Sequence, residues 1–266
     1  MENKSPELEI AIKAALEAGK ILEKHLQTEI SKGIKEDKSI SVLADGESED
    51  TIKKIISDAF PKHSILGEET GMTTNSEDHI WHIDPVDGTR NFAHGIPFFA
   101  ISIALVYKEE LQVGVVYNPA TKSLFYAEKG KGAYLNDKRI FVSKDNVTHC
   151  LMTVTRGKNP MDEKLFRELM YYLPKNVVPS IRDLACCALD LSFVAMGAFE
   201  ADIQLGLNSY DFAAGILLVL EAGGKITTLN GGPWKFPDSH FIVSNGIFHD
   251  VLVEAVKSQK EKLGII

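Results

Sequence analysis

Between residues 97 and 135 the chain supplies one strand after another and leaves no room for a helix between them. Residues 97–107 run apolar, with Phe99, Ile101, Ile103 and Leu105 at alternate positions. Residues 111–117, 123–128 and 132–135 continue as strands, and Asn118-Pro119 and Asn136-Asp137 mark turns. Parallel neighbours need a crossover of a dozen or more residues, so strands this closely spaced must pair antiparallel. An antiparallel meander is therefore fixed at the centre of the chain.

Helices precede it. Ser5-Pro6 opens one, with Ser as N-cap and Pro at the first helical position, and Leu8, Ile12, Ala15, Leu16, Gly19 and Leu22 share a face. A short extended piece is predicted over residues 39–43. A second helix follows from about Glu47 to Phe60, with Asp45 just before it and Pro61 ending it. A brief strand over 63–66 ends at Gly67-Glu68-Glu69, residues 72–78 read as loop, and 80–83 as strand. After about residue 145 the rhythm changes. Strands at 151–155, 177–181, 201–205, 225–229 and 241–244 alternate with helices at 161–173 (stopped by Pro174), 184–196 and 210–222, and a last helix begins near Phe248. The expected organisation is an α+β N-terminal lobe over residues 1–145 and an α/β lobe over 146–266.

With 266 residues, 44% of them hydrophobic, the chain can bury a substantial core. A net charge of −8 argues against nonspecific binding to nucleic acid or anionic membranes, which requires a basic field. Cys150, Cys186 and Cys187 form no disulfide framework and no zinc pattern, so buried free thiols are expected. The first residues form no apolar signal core and no apolar run is long enough to span a bilayer, which predicts a cytoplasmic protein.

The chemistry centres on residues 81–92, Trp-His-Ile-Asp-Pro-Val-Asp-Gly-Thr-Arg-Asn-Phe. An apolar strand runs into two acids, Asp84 and Asp87, three apart across a Pro-bearing turn. Such acids cannot lie along a regular strand or helix; they suit a strand end where both carboxylates converge, ahead of a helix whose first N–H groups face the same way. That arrangement suits a hard cation with a phosphate beside it. Glu68, Asp211 and Asp45 share the setting, each at a strand end or helix start beside apolar sequence. Clustered carboxylates repel unless cations lie between them, and all-oxygen ligation favours Mg²⁺ or Mn²⁺ over zinc. Paired hard metals near a helix N-terminus fit attack of water on a phosphate.

Gly67-Glu68-Glu69, Asp84-Pro85-Val86-Asp87-Gly88-Thr89 with Asn91-Phe92, and Asp211 with Ala213-Ala214-Gly215 and Glu221-Ala222-Gly223-Gly224 resemble, in order and spacing, the signatures of the inositol monophosphatase family of lithium-sensitive, magnesium-dependent phosphatases. The resemblance covers essentially the whole chain. It implies a layered αβαβα sandwich, two to three Mg²⁺ ions with Mn²⁺ as substitute, and a homodimer.

By that resemblance, Glu68, Asp84 and the carbonyl of Val86 would bind a first metal. Asp84, Asp87 and Asp211 would bind a second, and Glu68 would help hold a third. Thr89, paired with Asp45, would orient and deprotonate the attacking water, and the N–H groups of Gly88 and Thr89 would hold the phosphate. The expected substrate contacts are Asp87, Gly88, Thr89, Ala185, Cys186, Gln204 and Asp211.

The chain departs from the family pattern at four places. Ser39-Ile40-Ser41-Val42-Leu43-Ala44 precedes Asp45 in place of an Asp-x-Val-Thr-like run, and Tyr210 replaces a Trp. Ala185-Cys186-Cys187 stands at a Gly-Thr/Ser-Ala loop, and Gln204 stands where a Glu often contacts the ring.

His79, His82 and His94 are read as surface or packing residues, residues 130–132 as a hairpin turn, and Lys129, Lys131, Lys138 and Arg139 as a solvated basic edge. The activity expected is hydrolysis of a small phosphomonoester, inositol monophosphate first. Fructose 1,6-bisphosphate, 3′-phosphoadenosine 5′-phosphate and histidinol phosphate are the rivals. The reading from another class is a non-catalytic metal or sugar-phosphate binding protein that kept the fold.

Overall fold

The computed structural model describes residues 4–26, 32–34 and 40–265. Helix α1 (Pro6–Leu26) starts as its sequence requires, with the Ser5 hydroxyl accepting the N–H of Leu8 at 3.2 Å. A two-stranded ribbon, β1 (Lys32–Ile34) with β2 (Ile40–Val42), leads into α2 (Leu43–Ala59). Of the extended piece expected at 39–43, Ser39 lies outside the described residues. Leu43 already belongs to the helix, so α2 begins about a turn earlier than expected and Asp45 stands inside its first turn.

The large sheet takes β3 (Ser64–Gly67), β4 (Gly71–Thr73), β5 (His79–Asp87), β6 (Ala100–Tyr107), β7 (Glu110–Asn118), β8 (Ser123–Glu128), β9 (Gly132–Leu135) and β10 (Lys138–Ile140). Their order is β10-β9-β8-β7-β6-β5-β3-β4, so the meander expected from the turn spacing runs unbroken from β5 to β10. Two of these strands were not anticipated. β4 occupies part of the loop expected at 72–78. β10 follows the Asn136-Asp137 turn, whose residues have φ 47° and 63° as a tight hairpin needs, and its Lys138 and Arg139 suit an exposed edge.

The second sheet, ordered β12-β11-β13-β15-β14, takes β11 (Leu151–Arg156), β12 (Ser180–Arg182), β13 (Ala201–Leu205), β14 (Lys225–Thr228) and β15 (His240–Ser244). Between them run α4 (Pro160–Asn176), α5 (Cys187–Ala195) and α6 (Ser209–Glu221), and α7 (His249–Leu263) closes the chain. Pro174 does not stop α4 as expected; it sits inside the last turn, where the helix has only two residues left to run.

Alternation along the strands sets the layers. Ile101, Ile103 and Leu105 of β6 pack with α1 and α2, while Ala100, Ala104 and Val106 face α5 and α6. On the second sheet Phe241 and Val243 face those same two helices and Ile242 faces α4 and α7. The stack is therefore helix, sheet, helix, sheet, helix. A sheet on each side explains why α6 is apolar almost all round.

Candidate active site

The acids converge at a defect in the large sheet. Asp84 of β5 pairs with Ser102 of β6, but the next pairing is Asp87 with Ala100. Three residues thus oppose two, a bulge that re-aims side chains. The strand continues through the Pro-bearing segment, yet irregularly, as two acids three apart on one site demand. The N–H of Val86 donates to Asp84 Oδ1 at 2.9 Å, which holds that carboxyl at the bulge.

Gly88 then takes φ 85° as N-cap of a short helix, α3 (Thr89–Ala93). A Cβ there would stand 3.0 Å from the Phe98 carbonyl oxygen and 3.2 Å from Cys186 Cβ, so both the backbone angle and the space require glycine. The Thr89 hydroxyl donates to the carbonyl of Val86 at 3.0 Å.

Four other segments are locked onto this corner. The N–H of Ala188, in the first turn of α5, donates to Asp87 Oδ2 at 2.6 Å, and the buried Cys186 thiol donates to the same oxygen at 3.3 Å. Asp87 thereby caps a helix a hundred residues away. The first turn of α6 is tied to the large sheet twice: Ser102 Oγ donates to the Tyr210 carbonyl at 3.0 Å, and Ser209 Oγ and His82 Nδ1 lie 2.9 Å apart. Within α6, Asp211 Oδ2 accepts the N–H of Asn208 at 2.8 Å. On the opposite face of the sheet, Ser48 of α2 donates to the Pro85 carbonyl at 3.2 Å. Asp45, 3% exposed, sits one turn before it. The N–H of Glu68, just after β3, donates to Ile83 O at 3.1 Å, one residue before Asp84.

Burial raises the carboxyl of Asp84 well above the carboxylate range, and the charges of Glu68, Asp87 and Asp211 raise it further. Burial also lifts Asp87 to about 7, against the opposing bonds from Ala188 and Cys186, and it raises Asp211, followed by the charge of Asp87. None of the leading influences on these three acids is a Lys or Arg. Asp84 stands within interaction range of both Glu68 and Asp211. Among the described residues, no three His, Cys, Asp or Glu side chains stand in an arrangement that could hold a metal ion as they are placed. The donor chemistry, however, fits hard divalent cations: clustered carboxyl oxygens and a nearby carbonyl, with no Lys or Arg of the described residues among the main influences on Asp84, Asp87 and Asp211.

The expected substrate end is mixed. Ala185 lies exposed at φ 54°, a strained angle for a residue with a Cβ, and Cys186 is buried. Gln204 is fully buried and its amide donates to Asp202, which is lifted to about 7 by burial. Asp190 shares that buried region and accepts from Thr155 at 3.0 Å. His82 is 5% exposed, lies edge-on to Phe236 and is lowered to about 4 by burial, so it is a packing residue as anticipated, and its contact with Ser209 adds a tether that was not. Gly130 and Gly132 form a hairpin turn whose N–H groups each donate to Glu221 at 2.7 Å, which gives that motif acid a structural role. Sequence reasoning missed Ser48, Ser102 and Ser209, whose partners lie 37 to 127 residues away along the chain.

A sequence model of the inositol monophosphatase family matches residues 3–261. The chain belongs to that family. Among other members, it is 36% identical to a fructose-1,6-bisphosphatase/inositol-1-monophosphatase of Aquifex aeolicus, over 98% of this chain and 99% of that one. It is also 36% identical to a Nus factor SuhB of Pseudomonas aeruginosa, over 90% and 92%. The solved structure of a Thermotoga maritima IMPase, 32% identical, superposes with a TM-score of 0.87 and covers 98% of this chain and 100% of that one. The family's layered sandwich is thus the fold of this chain, and a phosphatase is the class of protein it is. Among the described residues, no helix is long and apolar enough to cross a membrane.

Proposed function

We propose that the chain hydrolyses a small phosphomonoester with the help of Mg²⁺, inositol monophosphate being the first-choice substrate. The observation that carries this reading is the convergence of Asp84, Asp87 and Asp211 with Glu68 at the β5 bulge, beside the N–H groups of Gly88 and Thr89. In this reading Glu68, Asp84 and the carbonyl of Val86 hold one cation, and Asp84, Asp87 and Asp211 hold another. Glu68 helps hold a third, and Mn²⁺ is an acceptable substitute. Such cations, when bound, lower the pKa of water and neutralise charge on a phosphate.

The protein's own groups do the rest. Thr89, with its proton now directed at Val86 O, orients a water from the first turn of α3, and Asp45 of α2 takes up the proton through Thr89. The N–H groups of Gly88 and Thr89 hold the phosphoryl oxygens, and Asp87 is held in place by α5. Ala185, Cys186 and Gln204 form the substrate end. Gln204 acts from behind Asp202 rather than by direct contact, because it is buried. Lithium inhibition, a homodimer and a cytoplasmic location complete the reading.

A second substrate is favoured by one observation. With Gln204 turned onto Asp202, the site offers no carboxylate at that position to select a polyol ring, and the Aquifex relative is named for two substrates. Phosphate release measured with Mg²⁺ on inositol monophosphate, fructose 1,6-bisphosphate, 3′-phosphoadenosine 5′-phosphate and histidinol phosphate tests the assignment. Turnover of inositol monophosphate roughly a hundredfold less efficient than one of the others would overturn the first choice.

A further inference from the structure

Glu49 is wholly buried in α2, and its carboxylate faces the turn that carries Glu68. Oε2 accepts the N–H of Glu69 at 2.8 Å; Oε1 accepts the N–H of Thr70 at 3.0 Å and the Thr70 hydroxyl at 2.5 Å. Lys53, one turn further along α2, donates to the same hydroxyl at 2.7 Å. Gly67 closes over the carboxylate so tightly that any Cβ there would overlap Glu49 Oε1.

Glu68 is therefore gripped on both sides. Its own N–H is given to Ile83 O of β5, and the next two N–H groups are given to α2. With the Glu68 N–H held on β5 and the Glu69 and Thr70 N–H groups held on one buried carboxylate, the backbone is tied on both sides of Glu68, whose side chain acts on Asp84. The same helix carries Asp45 four residues earlier and Ser48, bonded to the Pro85 carbonyl, one residue earlier. One rigid element thus sets the cluster from two directions.

We propose that Glu49 is a positioning residue that, with Gly67 and Thr70, fixes the Glu68 carboxylate for cation binding. The inference rests on Glu68 being a cation ligand. Glu49 touches neither cation nor substrate; it acts by choosing the turn that presents Glu68. Groups that orient ligands from behind typically matter tenfold or more in metal affinity.

The test uses the metal-free full chain, Mg²⁺ alone as probe in a calorimetric titration, and phosphate release at varied Mg²⁺. Glu49→Gln keeps the size but accepts one N–H and turns an NH₂ on the other. It is expected to raise the Kd for Mg²⁺ by roughly tenfold or more while kcat at saturating Mg²⁺ stays close to the parent's. Glu49→Asp should recover part of the loss. Gly67→Ala, which pushes on the carboxylate, should copy Glu49→Gln. If Glu49→Gln does not fold, Thr70→Ala decides, since it leaves both N–H bonds in place; a rise in Kd of roughly threefold is expected. Folded Glu49→Gln, or Thr70→Ala, with lowered Tm but unchanged Mg²⁺ affinity would overturn the inference and leave a purely structural tether. A parent protein that neither binds Mg²⁺ nor releases phosphate would instead overturn the reading of the site, and this inference with it.

Discussion

The N–H of Ala188 and the carboxylate of Asp87 meet at 2.6 Å, although Asp87 ends strand β5, Ala188 lies in the first turn of α5 and the two are 101 positions apart. The bond gives Asp87 two duties. It is the acceptor that caps α5, and it is one of the acids pressed together at the β5 bulge. The second duty opposes stability: burial and like charge hold these carboxyls above their ordinary range, so each costs the metal-free fold free energy when ionised.

Replacing Asp87 or Asp211 by Asn should therefore separate function from folding. Each amide oxygen can still accept its helix N–H, and a repulsive charge is gone. Activity is expected to fall by roughly 100-fold or more. The metal-free Tm should stay level or rise. Phosphate release and thermal melts check both halves; melting near ambient temperature would assign the acids a structural role.

Thr89→Ala should leave Mg²⁺ binding intact, because no cation ligand is removed. Hydrolysis should slow by about 100-fold, the usual worth of a positioned proton-transfer group. Calorimetric Mg²⁺ titration alongside single-turnover kinetics checks this. Unchanged turnover would remove Thr89 from the chemistry.

Gly88→Ala places a Cβ at φ 85° and 3.0 Å from the Phe98 carbonyl oxygen. Strain and contact together should cost about 1–3 kcal/mol. Urea unfolding measures it, and loss of activity should exceed what the fraction folded explains.

His249 supplies a pH dependence away from the site. It is 1% exposed, sits between the Thr227 and Ser244 hydroxyls at 2.9 and 2.8 Å, and is lowered to about 4, mainly by burial. Above the ordinary value of 6.5 the ring is neutral in both states and contributes no pH dependence. Between 6.5 and 4 the unfolded chain takes up a proton that the folded chain refuses, so stability falls as pH drops, by up to about 3 kcal/mol. Compared with the parent, His249→Gln should lose less, or gain more, unfolding free energy as pH drops from 7 to 4.5, because the raised site acids act in the opposite direction. His82, lowered to about 4 in the same way, keeps part of the slope in place.

Much of this was legible in the chain itself. The meander could be read because alternation and closely spaced turns leave antiparallel pairing as the only solution. Asp84, Asp87, Glu68 and Asp211 stood out because acids at the ends of apolar runs are costly without a purpose. What escaped is what depends on distant partners. Leu43 looks like the end of an extended piece and Ala44 like the link to a later helix; the buried Ala44 and the Ser48 bond to Pro85 O accompany their folding into α2. Glu49 looks like one more solvated helix acid until the 67–70 turn folds over it. Ser102 is an unremarkable strand serine until Tyr210 arrives 108 residues later. Gln204 was expected at the substrate end, and only the register placing Thr153 beside Asp202 and Thr155 beside Gln204 shows the buried polar group it joins.

On the function proposed, the acid cluster at β5 works as a cation-dependent phosphatase site. Phosphate release from inositol monophosphate by chelator-treated protein, followed while Mg²⁺ is added back, tests it most directly. No turnover is expected without the cation, with saturable recovery once it is added and no recovery in Asp84→Asn. Turnover that persists in excess chelator, or that Asp84→Asn leaves unchanged, would contradict it.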